Sequence, residues 1–403
     1  MTTRILTTHV GSLPRPQRLI ELNARRADGD TAHEEAYLEE LRRGVAAVVE
    51  RQREAGVDIV NDGEYGHAIN TAYDYGPWWT YAWPRLGGLE LQEIPLWGVV
   101  PAQTRAPQPG QLTLASFGER RDWNLFSDAY GDPASGAALP SIENHRGRPV
   151  CVGPLSYIGQ DLIRRDIANV KAALEAAGVE EGFMNALAPG SARFANEYYE
   201  SDEEMLFACA EALREEYAAI VEAGLILQLD DPAIAENWDQ ITPEPSVEAY
   251  RRFTMVRIDA LNHAIRDLPP ERIRFHLCWG SWHGPHVTDI PMADIVDAML
   301  AVNAGSYSFE AANVRHEHEW RVWEQVELPA GKRILPGVVS HATNVVEHPQ
   351  LVADRILRFA RIVGPENVVA STDCGLGGRV HPQIAWAKLE ALAAGAALAA
   401  AQI

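Results

Sequence analysis

His276-Leu277-Cys278 places an imidazole and a thiol two residues apart. In a β-strand, residues i and i+2 point to the same face, so both side chains can converge on one ion from a single strand end. Imidazole together with thiolate selects zinc, which takes four tetrahedral ligands, or three plus an exchangeable one when it is catalytic. Glu310 and Cys374 are the candidate completing ligands, each at the end of a later apolar run. As a bare pattern, HxC with a distant Cys also arises from a buried histidine and buried thiols, and the spacing alone leaves both readings open. The other cysteines read as core: Cys209 lies in a helical pattern, EEMLFACAEALREEYAAIVEAG, and Cys151 in the strand-like PVCVGP.

The elements that must position these groups are short apolar runs ending in polar or Gly-containing turns. Eight fit this description, at 5–12, 57–64, 149–154, 225–231, 273–280, 306–313, 333–340 and 367–375, with helical patterns in most of the gaps. That alternation predicts an α/β fold, a (β/α)8 TIM barrel. Gly56, Gly224, Gly305 and Gly364 close the predicted helices at a position that favours a left-handed residue. In such a barrel the reactive side chains sit at the C-terminal strand ends. Ser12, Glu64, Asp230 with Asp231, His276 with Cys278, Glu310, His341 and Asp373 with Cys374 all fall there.

Residues 65–148 break the rhythm with Trp78, Trp79, Trp83, Trp97, Trp123 and many prolines, and predict an inserted β-rich excursion after the second strand. The WWTYAW cluster suits the core of that insertion better than a lid. FMNALAPG reads either as a ninth strand or as a loop over the barrel mouth. Residues 1–403 form one predicted domain, with residues 380–403 as a C-terminal helix. His283, His286, His316 and His318 have metal-like spacing, but they lie in loops after strand ends that already supply ligands, where hydrogen-bonding roles are expected.

Composition narrows the function. The 35 basic and 56 acidic residues give a net charge of −21, and no basic cluster offsets it, which argues against nucleic acid and anionic lipid. No run approaches a membrane span and the N-terminus has no signal-peptide core, so the expected compartment is the cytoplasm. Four cysteines in 403 residues exclude a disulfide scaffold.

TTHVGSLPRP, NDGEYGH, LQLDDPAIAE, HLCWG, SFEAAN and TDCGLGG, in this order, closely resemble the catalytic barrel of the cobalamin-independent methionine synthase superfamily, which also contains the epoxyalkane:coenzyme M transferases. The resemblance runs from about residue 3 to 390 and is weakest over 65–148 and 232–245. It implies Zn2+ held by His276, Cys278, Glu310 and Cys374. It also implies that Ser12, Glu64 and Asp230 hold the amino acid group of a thiol such as homocysteine, and that His341 donates a proton. By residue chemistry alone, Glu64 and Asp230 equally suit carboxylates bonded to backbone at a barrel mouth, and His341 equally suits a loop-ordering role. Zinc in such a set lowers the pKa of a thiol that displaces Glu310, giving a strong nucleophile at neutral pH.

The resemblance implies a zinc-dependent S-methyltransferase of the 5-methyltetrahydropteroyltriglutamate–homocysteine type. Long-form methionine synthases carry a second, folate-binding barrel for which 403 residues leave no room, so the donor stays open between a folate and a corrinoid protein. The oligomeric state is open as well. WGSWHGPH after Cys278 is unlike the usual continuation and points to a reshaped pocket. Two rival readings remain. One is alkyl transfer from an epoxide to coenzyme M, whose sulfonate needs a basic cradle from among Arg15, Arg85, Arg315 and Arg379. The other is a non-catalytic zinc barrel.

Overall fold

A computed structural model describes residues 4–27, 29–67, 81–95, 110–115, 117–137, 146–192 and 194–403. The strands among them are β1 (Leu6–Thr7), β2 (Leu86–Pro95), β3 (Arg146–Tyr157), β4 (Phe183–Leu187), β5 (Ala195–Asn196), β6 (Ile226–Asp230), β7 (Ile273–Leu277), β8 (Ser306–Phe309), β9 (Arg333–Val339) and β10 (Val369–Thr372). The longer helices are α1 (Gln17–Ala27), α2 (Glu34–Glu54), α3 (Gln160–Ala177), α4 (Asp202–Glu222), α5 (Val247–Ile265), α6 (Pro349–Val363) and α7 (Pro382–Ala400).

The fold is α/β, with a curled parallel sheet in the order β1-β10-β9-β8-β7-β6-β4. Residues 58–60 join its two edges. The N–H groups of Asp58 and Ile59 donate to the Thr7 carbonyl, at 3.1 and 3.0 Å, and the Phe183 N–H donates to the Val60 carbonyl at 2.9 Å. Strands flanked by helices on a parallel sheet are buried on both faces, which is why Phe183–Leu187 and Ile273–Leu277 are buried throughout.

The third strand of this sheet is β4, not the 149–154 run. PVCVGP lies within β3, which pairs antiparallel with β2 and parallel with β5 in a separate three-stranded sheet. FMNALAPG is therefore neither a ninth strand nor a loop over the mouth. Burial distinguishes the two runs: Phe183–Leu187 is buried throughout, as a parallel strand covered on both faces must be, whereas Val152, Pro154 and Ser156 of β3 are exposed. Trp78, Trp79 and Trp97 lie outside the described residues, as does much of the expected 65–148 excursion.

Helix boundaries follow local chemistry. Ser201 and Ser246 cap α4 and α5 by accepting the N–H of Glu204 and Ala249. Gly56, Gly224 and Gly364 have positive φ, as expected for caps, but Gly305 does not. The helix before Gly305 is only Val296–Leu300, and Gly305 is required instead because a Cβ there would lie 2.6 Å from the Pro270 carbonyl oxygen.

The centre of the sheet holds a buried cation. Arg274 donates to Gln228 Oε1 (2.6 Å), Thr8 Oγ1 (3.0 Å) and the His9 carbonyl (2.8 Å), and lies over the Phe183 ring. His9 is fixed by Gln52 (2.7 Å), which makes it part of this interior network. No helix among the described residues is long and apolar enough to cross a membrane.

Candidate functional site

The C-terminal strand ends gather the sulfur and nitrogen donors. His276 ends β7 with Leu277, Cys278 follows it, and Cys374 lies two residues past β10. One ligand atom from each lies within 4.8 Å of the others. His276 Nδ1 lies 3.1 Å from Ser308 Oγ on the neighbouring strand, while its buried Nε2 has no protein partner. Burial, aided by Arg274, pushes the His276 pKa down to about 3 and keeps the ring neutral. The Cys278 thiol is held well above its ordinary range by a hydrogen bond with Cys374 and by burial. Two thiols in contact compete for a single negative charge.

Glu310 lies beside this trio, in a second cluster with His341 and Asp373 whose ligand atoms also fall within 4.8 Å of one another. Its Oε1 accepts the Trp279 N–H (2.9 Å) and its Oε2 accepts Asn313 Nδ2 (3.0 Å). Asp373 Oδ1 accepts the N–H groups of Ala311 (2.7 Å) and Ala312 (2.8 Å), and burial with the Glu310 charge raises its pKa to about 8. Asp373 Oδ2 and both ring nitrogens of the fully buried His341 have no partner. Burial holds His341 well below the usual imidazole range.

Ser12, Glu64 and Asp230 line one cavity together with His276 and Cys374. The cavity is narrow and partly open to solvent. Glu64 adopts a left-handed backbone, φ 59°, directly after Gly63 at φ 69°. A non-glycine residue in that region carries strain that the surrounding structure must impose. The strained turn aims the carboxylate at Gly11, where a Cβ would lie 2.3 Å from Glu64 Oε1, so only glycine fits before Ser12. Asp230 is oriented by Asn185 Nδ2 (2.9 Å) and Gln228 Nε2 (2.6 Å).

Burial raises Glu64 to about 7, against the opposing pull of Arg15 and Arg379 and hydrogen bonds from Ser12. Burial and the Glu64 charge raise Asp230 to about 8. Two buried carboxyls that disfavour each other's ionisation form an arrangement that a cation could stabilise in its charged form.

The four arginines expected as an anion cradle separate cleanly. Arg15 Nη2 donates to the Glu64 carbonyl (2.5 Å) and supports the strained turn. Arg85 is buried against Asp166 (2.8 Å) and Glu216 (3.1 Å). Arg315 donates to the Val287 carbonyl (2.8 Å). Arg379 alone among the four lines the cavity.

Asn185 lines the cavity without having been singled out in the sequence, while Tyr81 of WWTYAW and Ser281 of WGSWHGPH, the segment expected to reshape the pocket, line it too. Asn185 carried a signal, a polar residue inside the apolar run FMNAL. His67 lines the cavity too, 3.6 Å from Glu64 Oε2 and with its ring against Tyr81. His283 Nε2 lies 3.1 Å from the His341 carbonyl oxygen. His286 and His316 share Asp289 at 3.0 Å each, and His316 also meets Glu319 at 2.8 Å. These contacts support the loop after Cys278, as hydrogen-bonded histidines there were expected to do.

The sequence profile for the catalytic domain of cobalamin-independent synthases matches residues 5–72 and 148–397. A methionine synthase of Thermococcus kodakarensis is 23% identical over 373 residues, covering 92% of this chain and 86% of that protein. A 2-hydroxypropyl-CoM lyase of Xanthobacter autotrophicus is 23% identical over 429 residues, covering 99% and 96%. The solved B12-independent methionine synthase from Shewanella sp. W3-18-1, in complex with selenomethionine, superimposes with a TM-score of 0.68 at 19% identity, covering 98% of this chain and 97% of that one. At that identity the likeness is one of fold.

Proposed function

The chain belongs to the family of cobalamin-independent synthase catalytic domains, and from that premise we propose that it is a zinc-dependent S-methyltransferase acting on a homocysteine-type thiol. One observation carries this reading: His276 and Cys374, with Cys278 clustered against them, share a single cavity with a pair of proton-retaining carboxyls. We read the curled sheet with residues 57–60 as a closed eight-stranded barrel whose C-terminal rim carries the site.

His276, Cys278, Cys374 and Glu310 are the residues that would hold Zn2+. The donor set fits: His276 Nε2 is buried and without a protein partner, and two thiols crowd together where a cation would relieve their competition. A bound Zn2+ supplies Lewis acidity that lets an incoming thiol react as the thiolate near neutral pH. Ser308 fixes the imidazole through Nδ1, which leaves Nε2 as the ligating atom. Glu64 and Asp230 bind the substrate ammonium, which draws both into the ionised form, while Asn185 and Gln228 hold the Asp230 oxygens in place. His341, clustered with Glu310 and Asp373, is the residue we assign to hold the proton for the leaving group. Adjacent thiols without a disulfide suit a reducing compartment such as the cytoplasm.

Alkyl transfer to 2-mercaptoethanesulfonate is the second reading, and Arg379 in the cavity wall favours it. The buried carboxyls oppose it, since 2-mercaptoethanesulfonate brings no cation to pair with them and a nearby sulfonate would disfavour their ionisation further. The test is to incubate zinc-loaded protein with homocysteine and either methyltetrahydrofolate, as mono- and triglutamate, or methylcobalamin, and to detect methionine by mass spectrometry. Methionine from one donor supports the reading, and its absence with every donor overturns it.

A further inference from the structure

The cavity contains charges of both signs, and the negative ones have been assigned. Glu64 and Asp230 suit an ammonium, but an amino-acid thiol also brings an anion that must be desolvated in the same space. Among the groups lining the cavity, Arg379 is the one that carries a permanent positive charge.

Arg379 is placed there by its loop. The Ser12 carbonyl accepts the N–H groups of Leu376 and Gly377, both at 2.9 Å, and so pins the turn that follows Cys374. A Cβ at residue 377 would lie 2.5 Å from the Leu13 carbonyl oxygen, so the turn can press this closely only with glycine. The pinned turn carries the Arg379 side chain to the cavity wall, where Nε and Nη2 both donate to Ser281 Oγ, at 2.9 and 2.7 Å. Ser281 lines the cavity as well, and Arg379 is only 8% exposed overall. One loop thus presents a sulfur donor at Cys374 and, five residues on, a guanidinium. That is the pairing needed to grip a small thiol by its sulfur end and its acidic end together.

We propose that Arg379, positioned by Ser281, recognises the anionic head group of the thiol substrate and determines selectivity for thiols that carry one. This rests on the thiol reading above and deepens it. The group recognised is the carboxylate of an amino-acid thiol, because the neighbouring Glu64 and Asp230 require a cation on the same molecule.

The test uses full-length, zinc-loaded protein and calorimetric titration with three thiols: homocysteine, 3-aminopropane-1-thiol, which is homocysteine without its carboxylate, and 2-mercaptoethanesulfonate. Wild type should bind homocysteine about ten- to hundredfold more tightly than the decarboxylated analogue, the size expected of a charge-assisted pair. Arg379→Gln should abolish that ratio by weakening homocysteine alone. Arg379→Lys should retain part of it, and Ser281→Ala should reduce it in the same direction. Circular dichroism and zinc content identify a variant that fails to fold, in which case Arg379→Lys and Ser281→Ala decide. Equal weakening of both aminothiols, or a ratio unchanged in Arg379→Gln, overturns the inference and leaves the thiol reading standing. Tighter binding of 2-mercaptoethanesulfonate than of homocysteine to wild type overturns the carboxylate assignment. Binding of none of the three overturns the thiol reading and this inference with it.

Discussion

His276 Nδ1 lies 3.1 Å from Ser308 Oγ, a contact across neighbouring parallel strands that turns the other ring nitrogen into a buried position without a protein partner. Ser308→Ala removes that orientation without touching a proposed ligand. Zinc affinity should fall about ten- to hundredfold, with one zinc still bound at saturation. Competition with a chromophoric chelator measures it.

Cys278→Ser and Cys374→Ser should each abolish zinc retention through gel filtration while the circular dichroism spectrum stays that of the wild type. The strands at these positions are held by core packing and backbone ladders that do not involve either thiol. Full zinc content in either variant would show that the cysteine is not a ligand.

Glu64 and Asp230 make two linked predictions about pH. Their folded pKa values, about 7 and about 8, lie above those of free carboxyls, so the folded state binds their protons more tightly than the unfolded state does. Their contribution to stability is therefore fully present at low pH and is lost as pH rises toward 7 and 8. At pH 8 the ligand-free Glu64→Gln protein should be more stable than wild type, by on the order of 2 kcal/mol, in urea denaturation. Methionine has an ammonium but no titrating sulfur, and its affinity for wild type should rise over the same interval and become flatter in Glu64→Gln.

His341→Gln should lower kcat by about a hundredfold or more, as loss of a positioned proton donor does, with zinc content and homocysteine affinity unchanged. A variant that loses zinc or homocysteine binding would instead assign His341 to ordering its loop. Single-turnover kinetics alongside metal analysis separates the two.

Arg85→Met should destabilise the protein by about 3–5 kcal/mol, since it strands the buried carboxylates of Asp166 and Glu216. Tyr81 and Tyr157 both donate to Glu216, and Tyr81 lines the cavity, so homocysteine affinity should fall as well. Urea denaturation and calorimetry read the two effects separately.

The placement of Ser12, Glu64, Asp230, His276 and Cys374 in one cavity was legible because period-2 strands followed by sharp turns leave few places for such residues except a shared rim. The third strand was not legible from apolarity, because PVCVGP and FMNALAPG are both short apolar runs ending near Gly and Pro. What separates them is that β4 is buried along its length while Val152, Pro154 and Ser156 of β3 alternate outward. Asn185 was lost with that strand. Arg379 could be named but not chosen, because its position depends on the Ser12 contact, which joins opposite ends of the sequence and leaves no local pattern.

That contact also sets an order of events at the ribosome. Ser12 emerges early, His276 and Cys278 much later, and the turn that latches onto Ser12 last of all. A nascent chain holds only one of the two clustered thiols until residue 374 has been made, so it cannot capture a metal through the full donor set while incomplete. Closing the cavity joins residues 12 and 377, near opposite ends of the sequence, and such a non-local step belongs among the slow events of folding.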